Sequence, residues 1–249
     1  MDKATAIGLV LGLGGIFAGN LLEGGHTGSL LQFTAGLIVL SGTLGAVMVS
    51  NPWQDLRLGL KLLKKAFSDH QDVPVQKVIR EIVDCTRIVK KESVIALEGH
   101  FSRIQNKFFK KILRNVVDGI DPEIIRDIFE TEIEAEEEKL LSGARIWSDA
   151  GGYSPTIGII GAVLGLIHVM GNLTDTSKLG AGIAVAFVAT VYGVGFANLV
   201  FLPIGSKIKK RIQENTRERR LILEGALLVN SGLSSAVVDQ RLRAHLAES

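Results

Sequence analysis

The chain has 249 residues, of which 47% are hydrophobic and 22% charged, with a formal net charge of +2. A mean hydropathy of +0.30 is too high for an ordinary soluble domain, and the charged share is too large for membrane spans alone. The near-neutral balance proposes no nucleic-acid partner, and one cysteine, Cys85, excludes an intrachain disulfide.

Ala4–Leu22 is free of charge and close to the ~20 helical residues that cross a hydrocarbon core. Only Lys3 precedes it and no small-x-small cleavage site follows, so it reads as a retained span rather than a signal peptide. Gly8-x-x-x-Gly12 and Gly15-x-x-x-Gly19 offer it close-packing faces. The Gly-rich turn Glu23–Gly28 leads into a second charge-free stretch, within Gly24–Gln54, that completes a hairpin. Its helix is expected from about Ser29 to the residues before Asn51-Pro52, because proline disfavours helix at the residue before it.

Trp53, Leu56, Leu60, Leu63 and Phe67 recur at helical spacing, while Arg57, Lys61, Lys64 and Lys65 occupy other faces. A helix lying in the headgroup layer is favoured over an ordinary packed cytoplasmic helix, because it follows a span without a linker. From Val73 to Asn115 the pattern is helical, with Val78, Ile82, Cys85 and Ile88 along one side, and it continues through Lys90–Glu98. On such a helix Lys90 and Glu98, roughly two turns apart, project from one face. Asp118–Pro122 is a turn, with Pro122 suited to the first helical position. The helix it opens is acidic through Glu130–Glu138, read as a solvated face, and runs on into a third span.

Gly151–Thr174 and Leu179–Ser206 contain no Asp, Glu, Lys or Arg, and only Asp175–Lys178 separates them, so they form a second antiparallel hairpin. Gly158, Gly161 and Gly165 share one helical face, where another backbone can come close. Pro155 and Pro203 sit near one end of each run, and Thr190, Tyr192 and Asn198 lie within the second. Small residues, prolines and hydroxyls in a charge-free hairpin describe a packed bundle that moves or conducts, not a simple anchor. Lys207–Arg220 continues the fourth span, and a shorter helix follows from Ser234 to Leu246.

Of the 28 Lys and Arg, all but Lys3 and Lys178 fall in 51–150 and 203–249, which assigns those segments to the cytoplasmic side. The expected fold is thus an all-α integral membrane protein with four transmembrane helices in two hairpins. Residues 1–51 hold the first pair, 52–150 a helical cytoplasmic domain, 151–206 the second pair and 207–249 a cytoplasmic helical tail. No metal-ligand cluster, phosphate loop or nucleophile elbow appears, so no enzyme and no cofactor are expected. His168 is the histidine inside a span, read as a packing residue over a proton relay. No span carries a carboxylate, so any ion-carrying acid must come from a partner.

With these features the chain resembles the MotA/PomA family of bacterial flagellar stator subunits, related to the ExbB/TolQ proteins. Ile95-Ala-Leu-Glu98 is similar to the family's Leu-Ala-Leu-Glu, with Lys90-Lys91 ahead of it. Pro155–Met170 resembles the family's third span; Thr190–Gly193 and Ala197-Asn198 before Pro203 resemble its fourth; Glu224-Gly225 and Arg241-Leu242 resemble its tail. The resemblance implies ion-driven torque generation in the bacterial inner membrane, with both termini cytoplasmic. It also implies a homopentamer around a dimer of a single-span MotB or PomB partner, whose Asp carries the ion. Pro155 and Pro203 match the family's two functional prolines, and Lys90, Lys91 and Glu98 its contacts to the rotor protein FliG. Lys90 stands where the family more often has Arg, giving a point charge in place of a planar fork. Sodium-driven members carry Thr where Ala162 stands, alongside the Thr matching Thr190, so H+ is expected as coupling ion over Na+. The alternative, an ExbB/TolQ-like energiser of outer-membrane processes, usually has three spans with the large loop after the first.

Overall fold

The computed structural model describes residues 3–25, 27–67, 74–171 and 176–247. The expected boundary residues Val73, Thr174 and Asp175 fall outside these, as do the side chains of Lys65, Phe67 and Lys178. The helices, in chain order, are α1 (Lys3–Leu22), α2 (Phe33–Ser50), α3 (Trp53–Phe67), α4 (Val75–Lys91) and α5 (Lys107–Val117). They continue with α6 (Pro122–Met170), α7 (Thr176–Phe196), α8 (Leu202–Val229) and α9 (Ser235–Ala247). Short 3-10 turns occupy Thr27–Leu30 and Ile95–His100, a π-helical stretch joins α7 to α8 over Ala197–Phe201, and no strand occurs among the described residues. The chain divides into two compact units, one of residues 1–69 and 140–210, the other of 70–139 and 211–249.

The first unit holds the apolar helices. Four helices are long and apolar enough to cross a membrane, with windows at Thr5–Leu22, Phe33–Ser50 and within Pro122–Met170 and Gly182–Val229. Helices α2 and α7 share a core of Ala35, Val39, Val188 and Ala189, small and β-branched side chains that let backbones approach. The polar Asn51, just past α2, donates from Nδ2 to Asp149 Oδ2 of α6 at 3.0 Å, tying the end of α2 to the middle of α6. Of the glycines expected to pack α1, only Gly12 meets a neighbour, Leu199; Gly8, Gly15 and Gly19 face open space within the chain.

Helix α3 packs through residues beside the expected stripe. Its buried face is Gly59 and Leu62, whereas Trp53 and Leu60 remain 58% and 60% exposed. The reason is a glycine-to-glycine approach: a Cβ on Gly59 would lie 2.6 Å from the Gly143 carbonyl oxygen, so only that face admits the neighbouring helix. Trp147 Nε1 donates to the Gly59 carbonyl at 3.2 Å and Ser142 Oγ to Asp55 Oδ1 at 3.0 Å, fixing the contact. The Arg57 guanidinium lies over the exposed Trp53 ring, 5.4 Å from its centre.

The second unit is built on an aqueous-type core. Ile79 and Ile82 of α4, Phe109, Ile112 and Leu113 of α5, Ile125, Phe129 and Ile133 of α6, Ile222 and Leu223 of α8 and Leu242 of α9 are all essentially fully buried there. Asn106 caps α5, its Oδ1 accepting from Phe109 N at 2.9 Å. The turn before α6 uses Gly119 at φ +74, and Asp121 Oδ1 accepts from Glu123 N at 2.8 Å beside Pro122 at the first helical position. Not all of the acidic run is simply solvated: Glu136 takes both nitrogens of Arg219, whose guanidinium also lies 5.1 Å over the Phe108 ring. Cys85 is buried on α4; desolvation, then the nearby Glu81 and Asp84 charges, pushes its thiol up to about 12.

The helix expected from Val73 to Asn115 breaks in two places. Helix α4 ends at Lys91, where Glu92 adopts φ −119 and ψ −85 and its N–H closes on Ile88 O at 2.9 Å. The chain then turns, and Leu97, 0% exposed, joins the same core as Ile82. Lys90 and Glu98 therefore do not share a helical face, contrary to the sequence reading.

Candidate functional site

The hairpin of α6 and α7 is held by backbones in contact. A Cβ on Gly158 would lie 2.9 Å from Ala189 O and 3.1 Å from Gly193 Cα; one on Gly165 would lie 2.9 Å from Ala186 N. Gly161 meets the methyl of Ala189 between them, so all three expected glycines are used at this contact. Ser154, fully buried, donates from Oγ to the Gly193 carbonyl at 2.9 Å, one turn inward of Gly158. Sequence reading missed this bond; a hydroxyl beside a proline, in a charge-free helix, was its available signal.

Pro155 lies inside α6 and cannot supply an N–H to the carbonyl of Gly151, four residues earlier. Gly151 itself packs on Leu202, the residue before Pro203, so the two prolines mark the same level of the hairpin. Pro203 likewise leaves the Leu199 carbonyl without its α-helical donor, and the backbone over Ala197–Phe201 responds by widening to π-helix. Asn198 Nδ2 donates to Val194 O at 2.9 Å within this widened turn.

Ala162 and Thr190 each follow a residue of the Gly161–Ala189 contact, and both are half-buried. Thr190 Oγ1 donates only a long 3.4 Å bond to Ala186 O, which leaves its lone pairs available. Tyr192 is different: its hydroxyl donates to Leu30 O at 2.6 Å and accepts from Gln32 N at 3.3 Å, with its ring against Gly36. The phenol thus clamps the segment entering α2. His168 is exposed on this chain, with its Cδ2 3.6 Å from where a Cβ on Gly182 of α7 would lie. Among the described residues no group of His, Cys, Asp and Glu could hold a metal ion. Among the described residues of its charge-free runs the hairpin offers glycine carbonyls, hydroxyls and the imidazole of His168 near one end, but no carboxylate.

In the second unit Lys90 and Lys91 end α4, while Glu98 stands on the 3-10 turn packed against that helix; all three are exposed. None makes an ion pair or side-chain hydrogen bond to a described residue, whereas nearby Arg87 pairs with Asp84 at 3.0 Å. The structure brings these charges onto adjoining elements, from two separate pieces of backbone.

Residues 100–220 match the model of the MotA/TolQ/ExbB proton channel family, and residues 6–91 that of the motility protein A N-terminal region. Motility protein A of Bacillus subtilis (strain 168) is 32% identical over 246 residues, 99% of this chain and 91% of that protein. Chemotaxis protein PomA of Vibrio alginolyticus is 32% identical over 248 residues, 100% of this chain and 96% of that protein. The solved C. jejuni MotAB structure superposes with a TM-score of 0.91 at 30% identity, covering 98% of this chain and 96% of the matched one. With such similarity running from end to end, the chain belongs to the motility protein A branch of the MotA/TolQ/ExbB proton channel family.

Proposed function

We propose that this chain is a flagellar motor stator subunit that, with a MotB-type single-span partner, forms a proton channel and converts ion flow into torque on the rotor protein FliG. The observation that carries the reading is a glycine-packed hairpin with a proline in each helix and no carboxylate in its apolar runs, in a chain matching MotAB complexes over its length. An ion crossing lipid beside such helices needs an acid to carry it, and a partner's intramembrane Asp supplies that group. Both termini on the cytoplasmic side of the bacterial inner membrane fit the distribution of Lys and Arg along the sequence, and five copies around a partner dimer is the assembly that the family resemblance implies. Pro155 and Pro203 are the bends that move when the acid changes charge, and Ala162 and Thr190 lie where it would pass. Tyr192 supports the path by holding the entry to α2. Lys90, Lys91 and Glu98 dock the rotor. The ExbB/TolQ-like reading is disfavoured by four candidate spans with the large polar segment after the second.

Ion flux tests this directly. Expressed alone, the chain is expected to leave the membrane tight; co-expressed with an unplugged partner it conducts, and a partner with Asp→Asn does not. Conduction by this chain alone would overturn the assignment of the ion-carrying acid to the partner.

A further inference from the structure

The break after Lys91 places a side chain that the charged residues alone do not account for. In the 3-10 turn Ile95–His100 residues three apart eclipse one another, so Ile95 and Glu98 project from the same edge. Ile95 is 68% exposed, while Leu97 between them is 0% exposed and anchors the turn to the core. Gly99 beside Glu98 has open space around it, which keeps the edge free of covering side chains. The exposed edge thus carries a large aliphatic group and an unpaired carboxylate on the turn, with two unpaired ammoniums on the adjoining helix end.

We propose that Ile95 is the apolar anchor of the rotor-docking surface, seated in an apolar pocket on the rotor protein. The pocket would be flanked by acid facing Lys90 and Lys91 and by base facing Glu98. This rests on the docking role proposed above and adds what those charges cannot provide. Exposed charge pairs steer and register a partner, but they are screened by salt and hold weakly. A dry aliphatic contact within a ring of charges is what gives such an interface its lifetime. Charges of both signs on one edge specify a partner of mixed, complementary charge, which an anionic lipid surface is not.

The test uses the complete stator complex in cells, reading stator dwell time at the motor and torque per stator, beside membrane abundance and oligomer size. Ile95→Ser is expected to shorten dwell about tenfold with abundance and oligomer unchanged, Ile95→Leu to restore it, and Lys90→Glu with Glu98→Lys to impair docking independently. Raising ionic strength should weaken wild type and Ile95→Ser alike, preserving the difference between them. Wild-type dwell in Ile95→Ser, with the charge reversal still impaired, overturns the anchor and leaves the docking role standing. Normal torque in the charge reversal overturns the docking role, and the anchor with it. Loss of oligomer in Ile95→Ser would instead make this edge a contact between copies of the chain, which also overturns the proposal.

Discussion

Ser154, Gly158 and Gly193 do the work at one crossing that elsewhere takes several large side chains. Lipid supplies no hydrophobic drive between helices, so α6 and α7 gain from close backbone approach and from one buried hydroxyl on a carbonyl. That approach leaves no room to spare. A Val at Gly158 would set its Cβ 2.9 Å from Ala189 O, forcing the helices apart at an expected cost of about 1–3 kcal/mol. Gly158→Val is therefore expected to lower membrane abundance and abolish motility. Gly152→Ala, where nothing stands within 4 Å of the added methyl, should leave the abundance of the chain unchanged. Equal abundance of the two variants on membrane immunoblots would mean that the crossing tolerates separation and is not what holds the hairpin.

Along whole elements, the bends are more informative than the helices. The π-helical stretch Ala197–Phe201 exists because Pro203 cannot donate to Leu199, and Pro155 leaves Gly151 in the same position on the facing helix. Alanine at either site restores a donor and lets the helix straighten. Pro155→Ala and Pro203→Ala are expected to insert at near wild-type abundance yet lose most torque, measured as swimming speed normalised to stator number; normal speed in either would remove that bend from the mechanism. Both prolines and the three packing glycines were legible in the sequence, because proline and glycine act through the backbone and carry their geometry wherever they stand. The packed face of α3 was not legible: hydropathy marked the stripe of Trp53 and Leu60, which the chain leaves exposed, while contact was decided by Gly59 meeting Gly143 more than eighty residues away in the chain. The break after Lys91 was hidden for a related reason. Lys90–Glu98 continues the helical pattern in the sequence, and the burial of Leu97 in the core beyond the break depends on residues of α5, α6, α8 and α9 that local pattern does not show. Tyr192 read as a pathway hydroxyl because its type was visible, but its acceptor, Leu30 O, was not.

For the assembled molecule, the question that its composition poses most sharply is which ion it uses. The apolar runs Gly151–Thr174 and Leu179–Ser206 contain no carboxylate, and Ala162 offers no oxygen next to the Gly161–Ala189 contact. Thr190 has one hydroxyl, bonded weakly to its own helix, and the Tyr192 hydroxyl is committed to Leu30 and Gln32. A sodium ion shedding its water needs several oxygens at once, as hard cations do, and next to the Gly161–Ala189 contact Ala162 supplies none and Thr190 a single hydroxyl beside a partner's acid. A proton asks for less: it neutralises the acid, which can then move past apolar surface at far lower cost than the charged form. The working complex is therefore expected to run at unchanged speed when external Na+ is removed at constant proton-motive force, and to stop when the proton gradient is collapsed. Ala162→Thr would add a second hydroxyl next to the same contact without altering the acid. A rise of torque with Na+ appearing only in that variant would tie ion choice to this position. Steep sodium dependence in the unaltered complex would overturn proton coupling, and would require sodium ligands from the partner or from a neighbouring copy of the chain.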